Sequence, residues 1–391
     1  MNADVLIAGG GIGGLAAALA LTRAGRRVRL FEQAAEWGEI GAGVQLGPNA
    51  TRLLQGWGLE KALAEIAAVP RQLIVSRMGD GAPLARMRLG QGMRTRYGAP
   101  YLTVHRADLH ALLLKAVRAC GAELQLGQRT TQISQTPDTV QLRLQDGSMA
   151  EGSLLVGADG VWSRVREQVM GDGPARPSGH LAYRALVAQT DLPAPLRSRD
   201  VSVWLGPHAH VVAYPVRRGE WLNMVAVVEG APATPSQDWD QQGEGAELRA
   251  VLGRVCPGLE ALARAPDTWR LWSLHVRPPM AAAGEMARGR VALLGDAAHP
   301  MLPYLAQGAA MAIEDAAELG WVLGQGPSPD VPAALQQYAQ ARWQRCARVQ
   351  RRARRNGVIF HATGPLRWGR DLSLRLLGER LLDLPWLYGH R

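Results

Sequence analysis

Residues 5–14 read Val5-Leu6-Ile7-Ala8-Gly9-Gly10-Gly11-Ile12-Gly13-Gly14. A short apolar run of this kind predicts a strand buried on both faces. Leu15-Ala16-Ala17-Ala18-Leu19-Ala20-Leu21 follows and predicts a helix, ended at Gly25. Arg27-Val28-Arg29-Leu30-Phe31-Glu32 predicts the second strand of a βαβ unit. Gly9, Gly11 and Gly14 sit between strand and helix in the spacing of a dinucleotide fingerprint. The first permits the turn, the second lets backbone approach a pyrophosphate, and the third lets helix and sheet pack closely. With Ile12, they place the helix N-terminus against the phosphates. Glu32 ends the second strand, where a carboxylate accepts from a ribose hydroxyl and repels a 2′-phosphate.

One fingerprint does not separate NAD from FAD. Two further segments bear on the choice: Gly157-Ala158-Asp159-Gly160-Val161-Trp162-Ser163-Arg164-Val165-Arg166 and Gly295-Asp296-Ala297-Ala298-His299-Pro300. Phosphate- or ribose-type sites so widely spread predict a large dinucleotide, FAD, held by a discontinuous domain. A second fingerprint with strand context is missing, so NADH or NADPH is expected as a visiting reductant.

The 391 residues allow two domains with real cores. Hydrophobic residues make up 47% and charged residues 20%, ordinary values for a globular protein. No apolar run approaches the ~20 residues of a spanning helix. Met1-Asn2-Ala3-Asp4 does not read as a secretory leader, and a cytoplasmic location is expected. Three scattered cysteines and no His/Cys/Asp cluster at ligand spacing predict reduced thiols and no metal. The net charge of +10 is spread along the chain, apart from Arg342, Arg345, Arg348, Arg351, Arg352, Arg354 and Arg355. Their three- and four-residue steps predict that most share one helical face, read as solvated or as a subunit contact, with nucleic acid or lipid as the alternative; no stacking platform for nucleic acid accompanies it.

Further along, Asn49–Leu59 predicts a helix capped by Asn49, residues 71–78 and 83–89 strands, and Gly92–Pro100 a loop. Asp108–Ala119 predicts a helix and 121–156 a strand meander around Asp146-Gly147. Residues 178–276 alternate strand-like runs with turns. From 307 onward the pattern is helical.

With these three segments in place, the sequence resembles the single-component flavin-dependent aromatic hydroxylases, the family of para-hydroxybenzoate hydroxylase. The resemblance runs from residue 4 to about 350 and more weakly to the end. It implies an α/β fold: a Rossmann-type FAD-binding domain with an inserted β-rich substrate domain and C-terminal helices. The expected partition is 1–75, 100–177 and 278–340 for the FAD domain, 76–99 and 178–277 for the substrate domain, and 341–391 for a helical segment. The resemblance carries FAD contacts onto Asp159, Asp296 and Arg106. It sets Gly43 and Val44, in Gly41-Ala42-Gly43-Val44-Gln45, beside the flavin ring. It places the backbone of Gly308 and Ala309, at a helix N-terminus, against the flavin pyrimidine.

His210 and Tyr214 lie four apart on a predicted strand and so share a face. The resemblance makes them the groups that bind or deprotonate a phenol, with Gln45, Pro303 and Tyr304 also lining the ring. Arg184 reads equally as a site residue and as a structural ion-pair partner. The implied reaction transfers one atom of O2 to a small phenolic or hydroxy-heteroaromatic acid, in a protein that forms a homodimer and contacts neither nucleic acid nor an integral membrane segment. Hydroxybenzoate, salicylate and hydroxynicotinate remain open as substrates, as does loss of the carboxylate. Two rivals stand beside this reading: a flavin monooxygenase or epoxidase of a larger polycyclic or lipid substrate, and an FAD-containing redox-responsive binding module.

Overall fold

The computed structural model describes residues 4–38, 42–230, 241–326 and 330–389. Gly41, in the glycine-rich stretch, and the first three residues lie outside them. The chain packs as two units: Met1–Glu39, Leu109–Arg176 and His275–Ala353 form one, and Ile40–Asp108, Pro177–Leu274 and Arg354–Arg391 the other.

The first unit is built on a six-stranded sheet. Its order is Ala287–Arg288, Val291–Leu293, Leu154–Gly157, Val5–Ala8, Val28–Phe31, Glu123–Gln125. All neighbours are parallel except the first pair. Val5–Ala8 and Leu154–Gly157 are buried along their whole length, as their unbroken apolar character requires. Helix Ile12–Arg23 packs along helix Gly308–Leu323. Small residues permit this: a Cβ on Gly320 would meet Ala20 at 3.0 Å, and one on Gly13 would meet Ala312 at 3.4 Å. Of the predicted meander, only its middle, Met149–Gly152, Val140–Leu144 and Thr130–Gln135, forms a separate antiparallel sheet, with Gly147 at φ +86° in the turn; its ends, Glu123–Gln125 and Leu154–Gly157, join the parallel sheet.

The arginine-rich stretch departs from expectation. Helix Val331–Phe360 does carry these residues, and Arg348, Arg351, Arg354 and Arg355 are exposed. Arg342, however, is buried and donates to Asp315 and Glu314, each at 2.8 Å. Arg345 joins it on Glu314 at 2.6 Å. Helical spacing shows which residues share a face, but it does not show which face meets a buried carboxylate pair.

The second unit is built on an eight-stranded sheet. Its order is Gln241–Gly243, Trp269–Val276, Arg176–Ala188, Trp221–Glu229, Ala209–Val216, Val201–Gly206, Gln72–Arg77, Pro83–Arg88. Strand alternation divides Ala209–Val216 between two surroundings. Ala209, Val211 and Ala213 pack in a core with Leu248, Leu259 and Trp269. His210, Val212 and Tyr214 point the other way. A smaller sheet joins Gly43–Leu46, Leu102–His105 and Ala67–Ala68.

Two local expectations change here. Gly92–Pro100 is not a loop, because Gly90–Tyr97 is helical, with Met93 buried and Gly98 ending it at φ +74°. The helix expected from Asn49 runs Pro48–Gly56 with Gly47 as its cap. Pro48 supplies a preset φ in the first turn, so the side chain of Asn49 is not needed there.

Candidate functional site

In the first unit the glycine fingerprint is as crowded as its spacing implies. Gly9 has φ +104°, and a Cβ there would lie 2.4 Å from the Ala158 carbonyl oxygen. A Cβ on Gly14 would lie 1.9 Å from the Gly9 carbonyl oxygen. The turn therefore admits backbone only. Glu32 accepts from Gly10 N at 2.6 Å and from Ala34 N at 2.8 Å. A carboxylate has about four acceptor positions, so capacity for a ribose hydroxyl remains. His110, which the sequence reading missed, braces the turn through Nε2 against the Gly10 carbonyl at 2.8 Å.

The other two segments are tied together by a buried side chain. Arg166 donates to the carbonyls of Ala298 at 2.6 Å and Ala297 at 3.4 Å. Asp159 accepts from Ser163 Oγ and, at 3.1 Å, from Val165 N. Burial pushes its carboxyl above the usual range despite those bonds. Gly295 N donates to buried Asp315 at 3.1 Å, and Asp315 also meets His299 Nε2 at 2.6 Å. Burial works against the Asp315 charge, yet His299 and Arg342 hold its pKa well below the ordinary value. On this base Asp296 is exposed while its neighbours are buried. Helices Ile12–Arg23 and Gly308–Leu323 begin without a side-chain cap, their first turns open to an acceptor. Pro303 and Tyr304 lie in a short 3₁₀ turn between these segments, with Tyr304 buried. A backbone-only turn, an acceptor at the strand end, an exposed aspartate on a rigid base and two uncapped helix starts fit FAD.

The fingerprint carries a direct expectation. Gly14→Ala forces backbone movement at the turn, and the purified variant should retain little flavin by absorbance while keeping its far-ultraviolet circular dichroism. Full flavin occupancy would show that this turn does not bear the pyrophosphate.

In the second unit, Gly43 N donates to Asn223 Oδ1 at 2.7 Å. A Cβ on Gly43 would meet the Tyr214 ring at 2.5 Å. Arg106 starts a helix and its N–H donates to the Ala42 carbonyl at 2.7 Å. Gln45 accepts from the Tyr101 hydroxyl at 2.7 Å and also bonds Tyr214. Burial raises the Tyr214 pKa, so its hydroxyl stays neutral as a donor, while the Arg184 charge works in the opposite direction. The Arg184 guanidinium stacks 4.6 Å over Trp272. Tyr388 closes this cluster, 6.3 Å from the Tyr101 ring, which gives the C-terminal Pro385–Tyr388 turn an anchoring role. Asn223 is buried, and its Nδ2 has no hydrogen-bond partner among the described residues. An orphaned donor of this kind costs stability unless a ligand satisfies it. The signal for Asn223 is faint in sequence: one amide between Leu222 and Met224 in an apolar strand.

Four residues along the same strand face, buried His210 meets His361, Nδ1 to Nε2 at 2.9 Å. His361 Nδ1 lies 3.3 Å from Glu229 Oε1, and the other oxygen of Glu229 meets His208 Nδ1 at 2.7 Å. Burial, with His361 and His180 nearby, holds the His210 pKa well below 6.5. Burial likewise brings His361 down to about 4. Both rings are neutral at pH 7, and acid sensitivity follows. Above pH 6.5 neither folded nor unfolded chain protonates them, so their contribution to stability is complete. Below 6.5 the unfolded chain binds protons that the fold refuses, and stability falls toward pH 4. Thermal midpoints should decline through this window, and less steeply for His361→Phe. An unchanged slope would separate these rings from the acid response.

The family model "FAD binding domain" matches residues 2–353. A 3-hydroxybenzoate 6-hydroxylase from Polaromonas naphthalenivorans is 41% identical over 98% of this chain and 95% of its own. A 6-hydroxynicotinate 3-monooxygenase from Bordetella bronchiseptica is 38% identical over 89% of each chain. Among solved structures, Klebsiella pneumoniae HpxO complexed with FAD and uric acid superposes with a TM-score of 0.85 at 28% identity, covering 97% of this chain and 94% of that one. No described helix is long and apolar enough to cross a membrane. A backbone-only fingerprint, two tethered aspartate segments and a family match over most of the length converge: this chain belongs to the FAD-dependent aromatic hydroxylases built on this FAD-binding domain.

Proposed function

We propose that the chain hydroxylates a small phenolic or hydroxy-heteroaromatic acid, using NADH or NADPH and O2. The observation that carries this reading is one sheet face in the second unit. It sets neutral, buried His210 at one end and Tyr214, orphaned Asn223 Nδ2 and the Arg184 charge toward the other. Four strand residues span ~13 Å, which suits a one-ring acid with its hydroxyl near His210 and its carboxylate near the donors. The relatives named for 3-hydroxybenzoate and 6-hydroxynicotinate support the same class.

When bound, FAD would supply hydride acceptance from the nicotinamide and oxygen activation. Gly9, Gly11, Ile12, Gly14, Glu32, Asp159 and Asp296 of the first unit would hold it in this reading, and the resemblance assigns Arg106 to the same cofactor. The resemblance also assigns Gly43 and Val44 to its ring, and the Gly308 and Ala309 N–H groups at their helix start would offset negative charge on it. His210 Nε2 takes the phenol proton, which makes the ring a stronger nucleophile. For that, Nδ1 must carry the hydrogen and donate to His361 Nε2, and His361 Nδ1–H then donates to Glu229. Tyr214 and Gln45 orient the substrate, and the resemblance assigns Pro303 and Tyr304 to its lining.

The test is NAD(P)H consumption with and without 3-hydroxybenzoate, salicylate, 4-hydroxybenzoate and 6-hydroxynicotinate, with H2O2 and hydroxylated product measured together. One of these acids should stimulate oxidation with coupled product. Flavin reduction indifferent to every aromatic acid would overturn the reading.

A further inference from the structure

His180 and Glu229 face each other directly across two antiparallel strands. His361 enters beside them, just beyond helix Val331–Phe360, and its backbone is fixed there because His208 N donates to its carbonyl at 3.2 Å. One ligand atom from each of His180, Glu229 and His361 lies within 4.8 Å of the other two. We infer that these three side chains form a binding site for a divalent cation of the zinc class, with water completing its shell.

Geometry and donor set agree. His361 Nδ1 and Glu229 Oε1 are 3.3 Å apart. Two ligands at ~2.0–2.1 Å from a tetrahedral ion are separated by about 3.3–3.4 Å. Two imidazoles and one carboxylate suit zinc, cobalt or nickel better than magnesium or calcium. The graded exposure, buried His361, half-buried His180 and exposed Glu229, leaves an open side for entry and for water.

Each ligand is also braced from behind, as metal ligands usually are. His180 Nδ1 lies 3.1 Å from the Ser178 carbonyl, a bond that carries the ring hydrogen on Nδ1 and places the lone pair on Nε2. His361 Nε2 faces His210 Nδ1 at 2.9 Å, and Glu229 Oε2 faces His208 Nδ1 at 2.7 Å. A solvated polar patch does not require three such braces. Among the described residues the other comparable cluster, His299, Asp315 and Cys346, behaves differently: the Arg342 guanidinium lies on Asp315 at 2.8 Å and occupies the place of a cation.

Occupancy has a consequence that rests on His210 being the base. A cation on His361 Nδ1 moves the His361 hydrogen to Nε2, which then donates to His210 Nδ1. The His210 hydrogen moves in turn to Nε2, where a phenol proton would have been accepted. No proton is gained or lost in this exchange; two hydrogens each change nitrogen. The cation is therefore inhibitory.

The test uses tag-free, FAD-loaded, chelator-treated protein titrated with Zn2+ by calorimetry and with Co2+ by visible absorbance. Expected are saturable binding of one ion per chain and at least ~10-fold weaker binding in His180→Ala and in Glu229→Gln, a change of about 1.4 kcal/mol. Cys346→Ser should bind like the wild type. Absence of saturable binding, or equal binding by His180→Ala, overturns the site. Zn2+ should inhibit aromatic-stimulated turnover in the wild type and not in His180→Ala. Site-specific binding with undiminished turnover leaves the site standing and instead removes His210 from its role as base.

Discussion

Replacing His210 by Asn is expected to lower the rate of coupled hydroxylation by roughly 10²–10⁴-fold, the usual contribution of a positioned general base. Flavin content should not change, because His210 meets His361 and Phe360, neither of which is assigned to FAD. Asn can still hydrogen-bond His361, so the packing around Phe360, 5.3 Å from the imidazole, survives better than with an apolar substitute. Three readouts separate base loss from damage. Flavin reduction by NAD(P)H in the absence of substrate should be unaffected. The deficit should shrink at high pH, where the phenol ionises without help. A more acidic phenol, such as a nitro-substituted analogue, should be hurt less. A variant within about twofold of wild type at neutral pH would sink the assignment of His210 as base.

Arg342→Met is expected to cost about 3–5 kcal/mol of stability, the usual consequence of removing one partner from a buried ionic cluster. The guanidinium and the two carboxylates it meets, Glu314 and Asp315, each expose 3% or less of their side chains. Without it, Glu314 relies on Arg345 and Asp315 on His299. The Gly295 N–H bond to Asp315 ties this cluster to the segment carrying Asp296, so flavin retention should fall along with stability. Glu314→Leu added to Arg342→Met should recover part of the loss, since fewer buried charges then lack a partner. Denaturant unfolding measures the effect, and a loss below about 1 kcal/mol would mean that water reaches the cluster.

These two residues differ in how far the sequence betrays them. The shared face of His210 and Tyr214 was legible because strand alternation sets residues four apart on one side; the chemical role of the pair comes from the family resemblance and stands as the proposal. Arg342 was misread because it lies in a run of seven arginines, and helical spacing does not reveal that the protein interior holds a carboxylate pair for it. Asn223 and His110 were missed for a related cause. Each acts on the backbone of a distant glycine, Gly43 or Gly10, and sequence offers no register between such remote segments.

By itself, the sequence determined the cofactor class and the order of elements that binds it. Glycine spacing, strand and helix periodicity and the acid at the strand end act over a few residues, so residues 5–14 carry their signal locally, even though Ala158 and His110 complete the turn's packing. Tertiary structure alone decided which charges are buried and which imidazoles touch. His180, His210, Glu229 and His361 are brought together by strand register and by the point where a long helix ends. Those depend on contacts between segments far apart in the chain, where side-chain burial rather than local propensity sets the energy.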